Sequence, residues 1–460
     1  MRITKPIMVA VMVTASLASI GPASHVSAAP QRPNPCTRPP QTPPEPKPTT
    51  IDVVGQVYYC VLKNYYSGPV LDGRLLLLPA FAALTQELQR RGLDQPDATM
   101  PALTGRRDAD WAAFRGVLEK VVAKLPADAA QAALKAAIDG MVASLNDNHA
   151  NWRQPQTSRP KLLGFRTSGF QGPGNVDPVG RPPLFVDHIA PGGPAEKAGM
   201  KLGDEIVSVD GVPPYVNGAP IPNVIMGLRQ GTEDTVTLKL RRPTTGATYT
   251  RELTRAEIPG SGPGVESRLL PGDVAYVSLP GFFSGAADKV LAAVEELRKG
   301  RNLRGLVLDL RSNGGGSPDE VRRLLGAWAH NKIFSYLCTV RDECTPVRTD
   351  DSVALLKLKL VTLTDRGCAS ACDAFSSAVK DLRLGTLVGT RTAGVVAGPA
   401  SPWILDDGSL LILPERHDFA ANKEIINTVG VPPDHFAPVS SMDLATGRDP
   451  GVAKALSILK

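Results

Sequence analysis

Several absences narrow what this sequence can do. Its 51 lysines and arginines are spread along the chain and form no dense basic run. The formal net charge of +6 therefore reads as a solvated surface, and nucleic acid is not expected as a partner. No apolar segment beyond the N-terminus approaches the roughly 20 residues a membrane-spanning helix needs. No cysteine pair has CxxC spacing, so the common zinc patterns are missing. The glycine run 314–316 is not followed by the Lys-Ser/Thr pair of a phosphate-binding P-loop. No long-period repeat is evident. What remains is ordinary globular composition, 42% hydrophobic and 21% charged over 460 residues, enough for two to four domains.

The N-terminus carries a targeting pattern. Arg2 and Lys5 precede an apolar run from Ile7 to Ile20, and Val26-Ser27-Ala28-Ala29 supplies small residues. Residues 1–29 are expected to be a secretory signal peptide. The rival reading is a membrane anchor, but Thr14, Ser16 and Ser19 interrupt the short run. Export to the cell envelope or medium, with no stable anchor after cleavage, is the expectation. In an oxidising compartment the six cysteines pair most simply with sequence neighbours: Cys36 with Cys60, Cys338 with Cys344, Cys368 with Cys372. The alternative for the last pair is two buried thiols.

Residues 30–50 are proline-rich and should form an extended, poorly ordered linker. Residues 51–153 read as a helical domain. Phe114, Leu118, Val121, Val122 and Leu125 recur at helical spacing, as do Leu134, Ile138, Met141 and Leu145. Short strands follow over 164–258, among them Leu184-Phe185-Val186, Glu205 to Val209 and the alternating Thr235 to Leu240. From 268 to 445 strands and helices alternate, as in an α/β domain with a helix-flanked sheet. Its strand Gly305 to Leu310 is nearly continuous in apolar residues, as burial on both faces requires.

Ala190-Pro191-Gly192-Gly193-Pro194-Ala195-Glu196-Lys197-Ala198-Gly199-Met200-Lys201-Leu202-Gly203-Asp204-Glu205-Ile206, followed by Val209-Asp210-Gly211, resembles a PDZ domain. The resemblance implies capture of a polypeptide C-terminus by strand addition, with a carboxylate-binding loop near Ser168 to Gly172. The alternative is an interdomain brace that binds nothing.

Two loops of the α/β region can carry chemistry. Asp309-Leu310-Arg311-Ser312-Asn313-Gly314-Gly315-Gly316 ends an apolar strand. It is either a plain tight turn or a set of bare N–H donors for an oxyanion. Gly367-Cys368-Ala369-Ser370-Ala371-Cys372-Asp373 places Ser370 between a strand and a helix. A serine there can simply cap the helix, or its hydroxyl can act as a nucleophile at the positive end of the helix dipole.

The order of these loops, continued by Gly389-Thr390-Arg391-Thr392-Ala393-Gly394, Leu405-Asp406-Asp407-Gly408-Ser409 and Val429-Gly430-Val431-Pro432-Pro433-Asp434, resembles the carboxyl-terminal processing (tail-specific) protease family, which includes relatives of the tricorn core. The resemblance covers roughly Ile51 to Val439. It implies a crotonase-like or ClpP-like α/β catalytic core, an N-terminal helical domain and an inserted PDZ-like domain. It implies a serine endopeptidase acting on protein or peptide, with no metal and no cofactor. Ser370 falls on the nucleophile. The oxyanion donors fall on the N–H groups near Gly315 and of Ala371, and Asp373 stands where the family often has Glu.

The family's general-base lysine is missing, because its position here is Val395. Lys380 lies too far along the next helix, and Arg391 cannot lose its proton at neutral pH. The tricorn-like branch instead takes a histidine from the helical region. His149, in Asp147-Asn148-His149-Ala150, matches it, with Asn148 in place of that branch's serine. The alternative is a structural histidine near a helix end. Asn427 matches the position that orients the histidine, and Glu424 or Asp147 could do the same work. Val395 also leaves open a binding protein without catalysis on the same scaffold. Oligomeric state and substrate identity do not follow from these residues.

Overall fold

The computed structural model describes residues 36–42, 44–155, 160–172, 175–231, 233–258 and 264–460. The signal segment expected at 1–29 lies outside them. Among the described residues, no helix is long and apolar enough to cross a membrane.

The N-terminal part contains four helices, Ile51–Asn64, Arg74–Arg90, Arg107–Val122 and Ala127–Ala143. The Thr50 hydroxyl starts the first by accepting from Val53 N–H. Phe114, Leu118 and Val121 of the third helix and Leu134, Ile138 and Met141 of the fourth are buried in one core, as their spacing predicts. That core also takes in Leu405, Leu411 and Leu413, more than 260 residues beyond Met141. They belong to a hairpin, Ala400–Ile404 and Leu410–Pro414. Strand Asn151–Arg153 joins the hairpin antiparallel, Asn151 opposite Ile412. The helices therefore share their hydrophobic interior with the C-terminal half. The described part of the proline-rich linker is extended, as its composition dictates, yet it is fastened along the same hairpin. Thr37 bridges Ile404, and Thr49 Oγ1 donates to Asp407 Oδ2 at 2.8 Å.

The middle part is a five-stranded antiparallel sheet. Its spatial order is Thr248–Thr254, Thr235–Arg241, Glu205–Val209, Leu184–Ile189, Phe165–Thr167. Val236, Leu238 and Leu240 face its core and their neighbours face water, the period-2 pattern of a one-sided strand.

The C-terminal part is built on a six-stranded sheet in the order Glu266–Leu270, Val274–Ser278, Gly305–Asp309, Lys359–Thr364, Gly385–Gly389, His435–Phe436. The last five are parallel, and the first is an antiparallel edge. Every residue of Gly305–Asp309 is buried. Leu306 and Leu308 pack with helices Ala286–Arg298, Pro318–Gly326 and Ala371–Asp381 on one face. Val307 packs with Ala455 and Leu459 of helix Pro450–Leu459 on the other. The two glycine- and serine-bearing loops leave the carboxyl ends of neighbouring parallel strands, where open α/β sheets gather their ligands.

Candidate active site

The two loops are stitched together by buried polar groups. Asp365 accepts from Ser312 N–H at 2.7 Å and from Gly367 N–H at 2.9 Å. Ala369 N–H donates to Asn313 O at 3.0 Å. Asn313, fully buried, donates through Nδ2 to Leu279 O at 2.8 Å and accepts at Oδ1 from Gly315 N–H at 2.9 Å. The glycine loop is thus fixed in place against the serine loop.

Ser370 precedes helix Ala371–Asp381 with φ 57°, a left-handed value that non-glycine residues rarely adopt. Its N–H lies 2.7 Å from Val395 O and 2.9 Å from Asp373 Oδ2. Asp373, fully buried, also accepts from Gly394 N–H at 2.9 Å, Val395 N–H at 3.0 Å and the Thr392 hydroxyl. Burial pushes its carboxyl up to about 6, against the pull of those four donors. Cys368 and Cys372, both fully buried, are paired across the turn with Cα atoms 5.2 Å apart. Cys36–Cys60 and Cys338–Cys344 are paired as well, so all three bridges join sequence neighbours.

His149 comes from the loop between helix Ala127–Ala143 and strand Asn151–Arg153. Its Nε2 lies 3.0 Å from Ser370 Oγ, across 221 positions of sequence. The ring's other nitrogen, Nδ1, lies 2.7 Å from Asn148 Oδ1. Asn148 Nδ2 donates to Asn427 Oδ1 at 3.0 Å, and that oxygen also accepts from Val396 N–H at 3.1 Å. The tautomer follows from this chain. A backbone N–H only donates, so the Asn427 atom it meets is the oxygen. Asn148 must then present its NH₂ to Asn427 and its oxygen to the ring. Nδ1 carries the proton, and Nε2 is left to accept from the serine hydroxyl. Burial lowers the His149 pKa below its ordinary 6.5, with the Asp147 charge pulling the other way. The ring is therefore neutral at neutral pH.

The residue touching the imidazole is Asn148, where the sequence pointed to Asn427. Asn427 stands one step further out and holds Asn148. The local backbone goes with it: Asn146 adopts φ 48°, and two residues on Asn148 lies beside its neighbour's ring. Asp147 holds the His149 backbone N–H at 2.8 Å and accepts from Tyr65 OH at 2.9 Å, so it fixes the loop and reaches the ring only through its charge. Glu424 is exposed and takes no part. Lys380 Nζ is engaged with Pro432 O and Asp434 Oδ1, both at 2.9 Å. Val395 is buried against Ala369 and Ala393, so the position of the missing lysine is apolar.

Gly315 has φ 99°, and a Cβ there would sit 2.6 Å from Ser370 Cβ and 3.0 Å from Ala371 N. The space before the Ala371 N–H exists because residue 315 has no side chain. The Gly315 N–H itself is taken by Asn313, whereas Ala371 N–H and the neighbouring Gly316 N–H have no acceptor among the described residues. His149, Ser370, Ala371 and Gly316 all border one cavity of about 260 Å³.

The PDZ-like part reaches the same place from below. Gly172 N–H donates to Arg366 O at 2.8 Å, and Arg366 pairs with Asp177 at 3.1 Å. The loop expected to bind a carboxylate therefore packs beneath the Ser370 turn, its Gly172 against Ala369 and Val395. No group of three or more His, Cys, Asp or Glu side chains suited to a metal ion occurs among the described residues.

Comparison with known proteins bears on the family and the fold. Residues 273–436 match the model of peptidase family S41, and residues 185–242 match that of a PDZ domain. The carboxyl-terminal-processing peptidase 2, chloroplastic, of Arabidopsis thaliana is 31% identical over 66% of this chain and 60% of its own length. The carboxy-terminal processing protease CtpB of Bacillus subtilis (strain 168) is 28% identical over 57% of this chain and 54% of its own. The match thus spans little more than half the length of these relatives. Among solved structures, the photosystem II D1 C-terminal processing protease shares the fold with a TM-score of 0.52 at 24% identity, covering 85% of this chain and 93% of that one.

Proposed function

We propose, from the match of residues 273–436 to peptidase family S41 and of residues 185–242 to a PDZ domain, that the chain is a serine endopeptidase working through a Ser370 acyl-enzyme with His149 as general base. The observation that carries this reading is the 3.0 Å approach of His149 Nε2 to Ser370 Oγ, with Nε2 free to accept. His149 takes the hydroxyl proton as Oγ attacks the scissile carbonyl, then hands it to the leaving amine. The Ala371 and Gly316 N–H groups receive the oxyanion in the space that Gly315 leaves open. Water, activated by the same imidazole, releases the acyl group.

Asn148 is a positioning residue that keeps the proton on Nδ1, and Asn427 positions Asn148. An amide holds the ring without adding charge, so the imidazolium is less stabilised than beside a carboxylate. The substrate is a polypeptide whose C-terminus adds to the PDZ sheet. The Arg229 guanidinium, which has no carboxylate partner among the described residues, supports that role. It lies 5.3 Å from the Phe170 ring, beside the Ser168 to Gly172 loop. The N-terminal targeting pattern and the three paired cysteines support export to an oxidising compartment.

A serine-reactive fluorophosphonate tests the assignment. The protein labels, and Ser370→Ala and His149→Ala do not. An unlabelled parent protein favours a binding scaffold without catalysis, and labelling that survives His149→Ala removes that residue as the base.

A further inference from the structure

The cavity beside Ser370 has one dissonant wall. Val321, Phe334, Leu337, Val347, Ala374 and Val396 make it apolar. Asp418 also lines it, from strand His417–Ala420, directly opposite Leu337 on strand Ile333–Cys338. Asp418 is only 7% exposed, and its Oδ1 has no hydrogen-bond partner among the described residues. The groups that favour its ionised form are the Ser335 hydroxyl and the Phe419 N–H, and no cation acts on it. Burial therefore pushes the carboxyl up to about 7. A buried carboxyl left incomplete costs stability wherever an apolar residue would fit. The strand pairing would accept a leucine here as readily as it accepts Leu337 across the ladder. The group lies beside the nucleophile, on the surface that a substrate side chain would fill.

We propose that Asp418 sets the side-chain preference of this cavity, selecting a basic residue whose aliphatic stem lies on the apolar wall and whose cationic end completes the carboxyl. The inference rests on Ser370 being the nucleophile, which makes the cavity the seat of the residue on the acyl side of the scissile bond. A neutral stem of equal length would bury the carboxyl further and leave it unpaired. An acidic side chain would set two carboxyls together. Sites built around a buried polar partner discriminate strongly against an analogue that lacks the matching group.

The test uses fluorogenic peptides that differ only at that residue: lysine, norleucine or glutamate. For the unmodified protein, kcat/KM for lysine is expected to exceed that for norleucine by about 100-fold, with glutamate uncleaved. Asp418→Asn should bring norleucine level with lysine or above it. Equal or better cleavage of norleucine by the unmodified protein overturns the proposal, and so does an unchanged ratio in Asp418→Asn. Should that variant fail to fold, the ratio in the unmodified protein decides alone. Absence of both fluorophosphonate labelling and cleavage overturns the peptidase reading instead. Calorimetry of the lysine and norleucine peptides with Ser370→Ala then makes the same comparison. Tighter binding of lysine supports the role of Asp418, and equal binding overturns it.

Discussion

The two halves of the reacting pair are built differently. Ser370 sits in a turn fixed from all sides: four donors converge on Asp373 beneath it, a cystine spans it, and Asp365 ties it to the glycine loop. Asp373, Thr392 and the cystine are almost wholly buried, and Asp365 partly so. His149 hangs on a partly open loop, and the side chain that orients its ring, Asn148, is exposed. The left-handed backbone of Ser370 needs that enclosure, because strain persists only where the surroundings over-determine it. The imidazole is unstrained, and two amides suffice to point it. An enclosed serine, the proposed nucleophile, thus faces a more open histidine, the proposed base, and damage to the two sides should differ in kind.

Four measurements can break or sharpen that contrast. Gly315→Ala should have the largest effect on activity, lowering kcat by about 1000-fold, because the added methyl occupies the space before the Ala371 N–H. Asp373→Ala should mainly cost stability. It strands buried donors of Ser370, Thr392, Gly394 and Val395, and denaturant titration should show a loss of about 3–5 kcal/mol.

Asn148→Asp gives up the bond to Asn427 at an exposed site, so it should cost far less stability than Asp373→Ala and should move the pH profile. His149 works as a base only when neutral, and burial holds its pKa below 6.5, so activity in the parent falls as pH drops through that lower value. A carboxylate in contact with Nδ1 favours the imidazolium and raises the pKa. The acid limb of kcat/KM should then shift upward by roughly one unit or more. Asn427→Ala, a step further from the ring, should reduce kcat only several-fold and leave KM unchanged. A stability loss from Asn148→Asp as large as that from Asp373→Ala would erase the distinction between the halves.

Much of this was legible in the residues themselves. The period-2 pattern of Thr235 to Leu240 and the unbroken apolar strand at Gly305 became the strands they implied, one half-exposed and one buried on both faces. Ser370, His149 and the glycine loop stand together as the motif order suggested. What escaped were directions and distant pairings. Whether Asn148 or Asn427 touches the ring depends on side-chain direction, which motif order does not carry. The sharing of a core between the N-terminal helices and Leu405, Leu411 and Leu413 depends on contacts too remote for any local period to announce. Asp418 is a lone acid in a four-residue strand, and only its cavity makes it notable.

The strand that carries the base toward the nucleophile, Asn151–Arg153, has its partners at residues 410–412, and the amide that steadies Asn148 is residue 427. A ribosome makes the chain from the other end. Between the synthesis of residue 149 and that of residue 427, a stretch of about 280 residues, the growing polypeptide holds a histidine without the partners that place it, and from residue 370 onward a serine without that histidine fixed beside it. The proposed pair therefore comes together only after both the hairpin and Asn427 have been made, so its assembly waits on contacts that reach across some 280 positions of the chain.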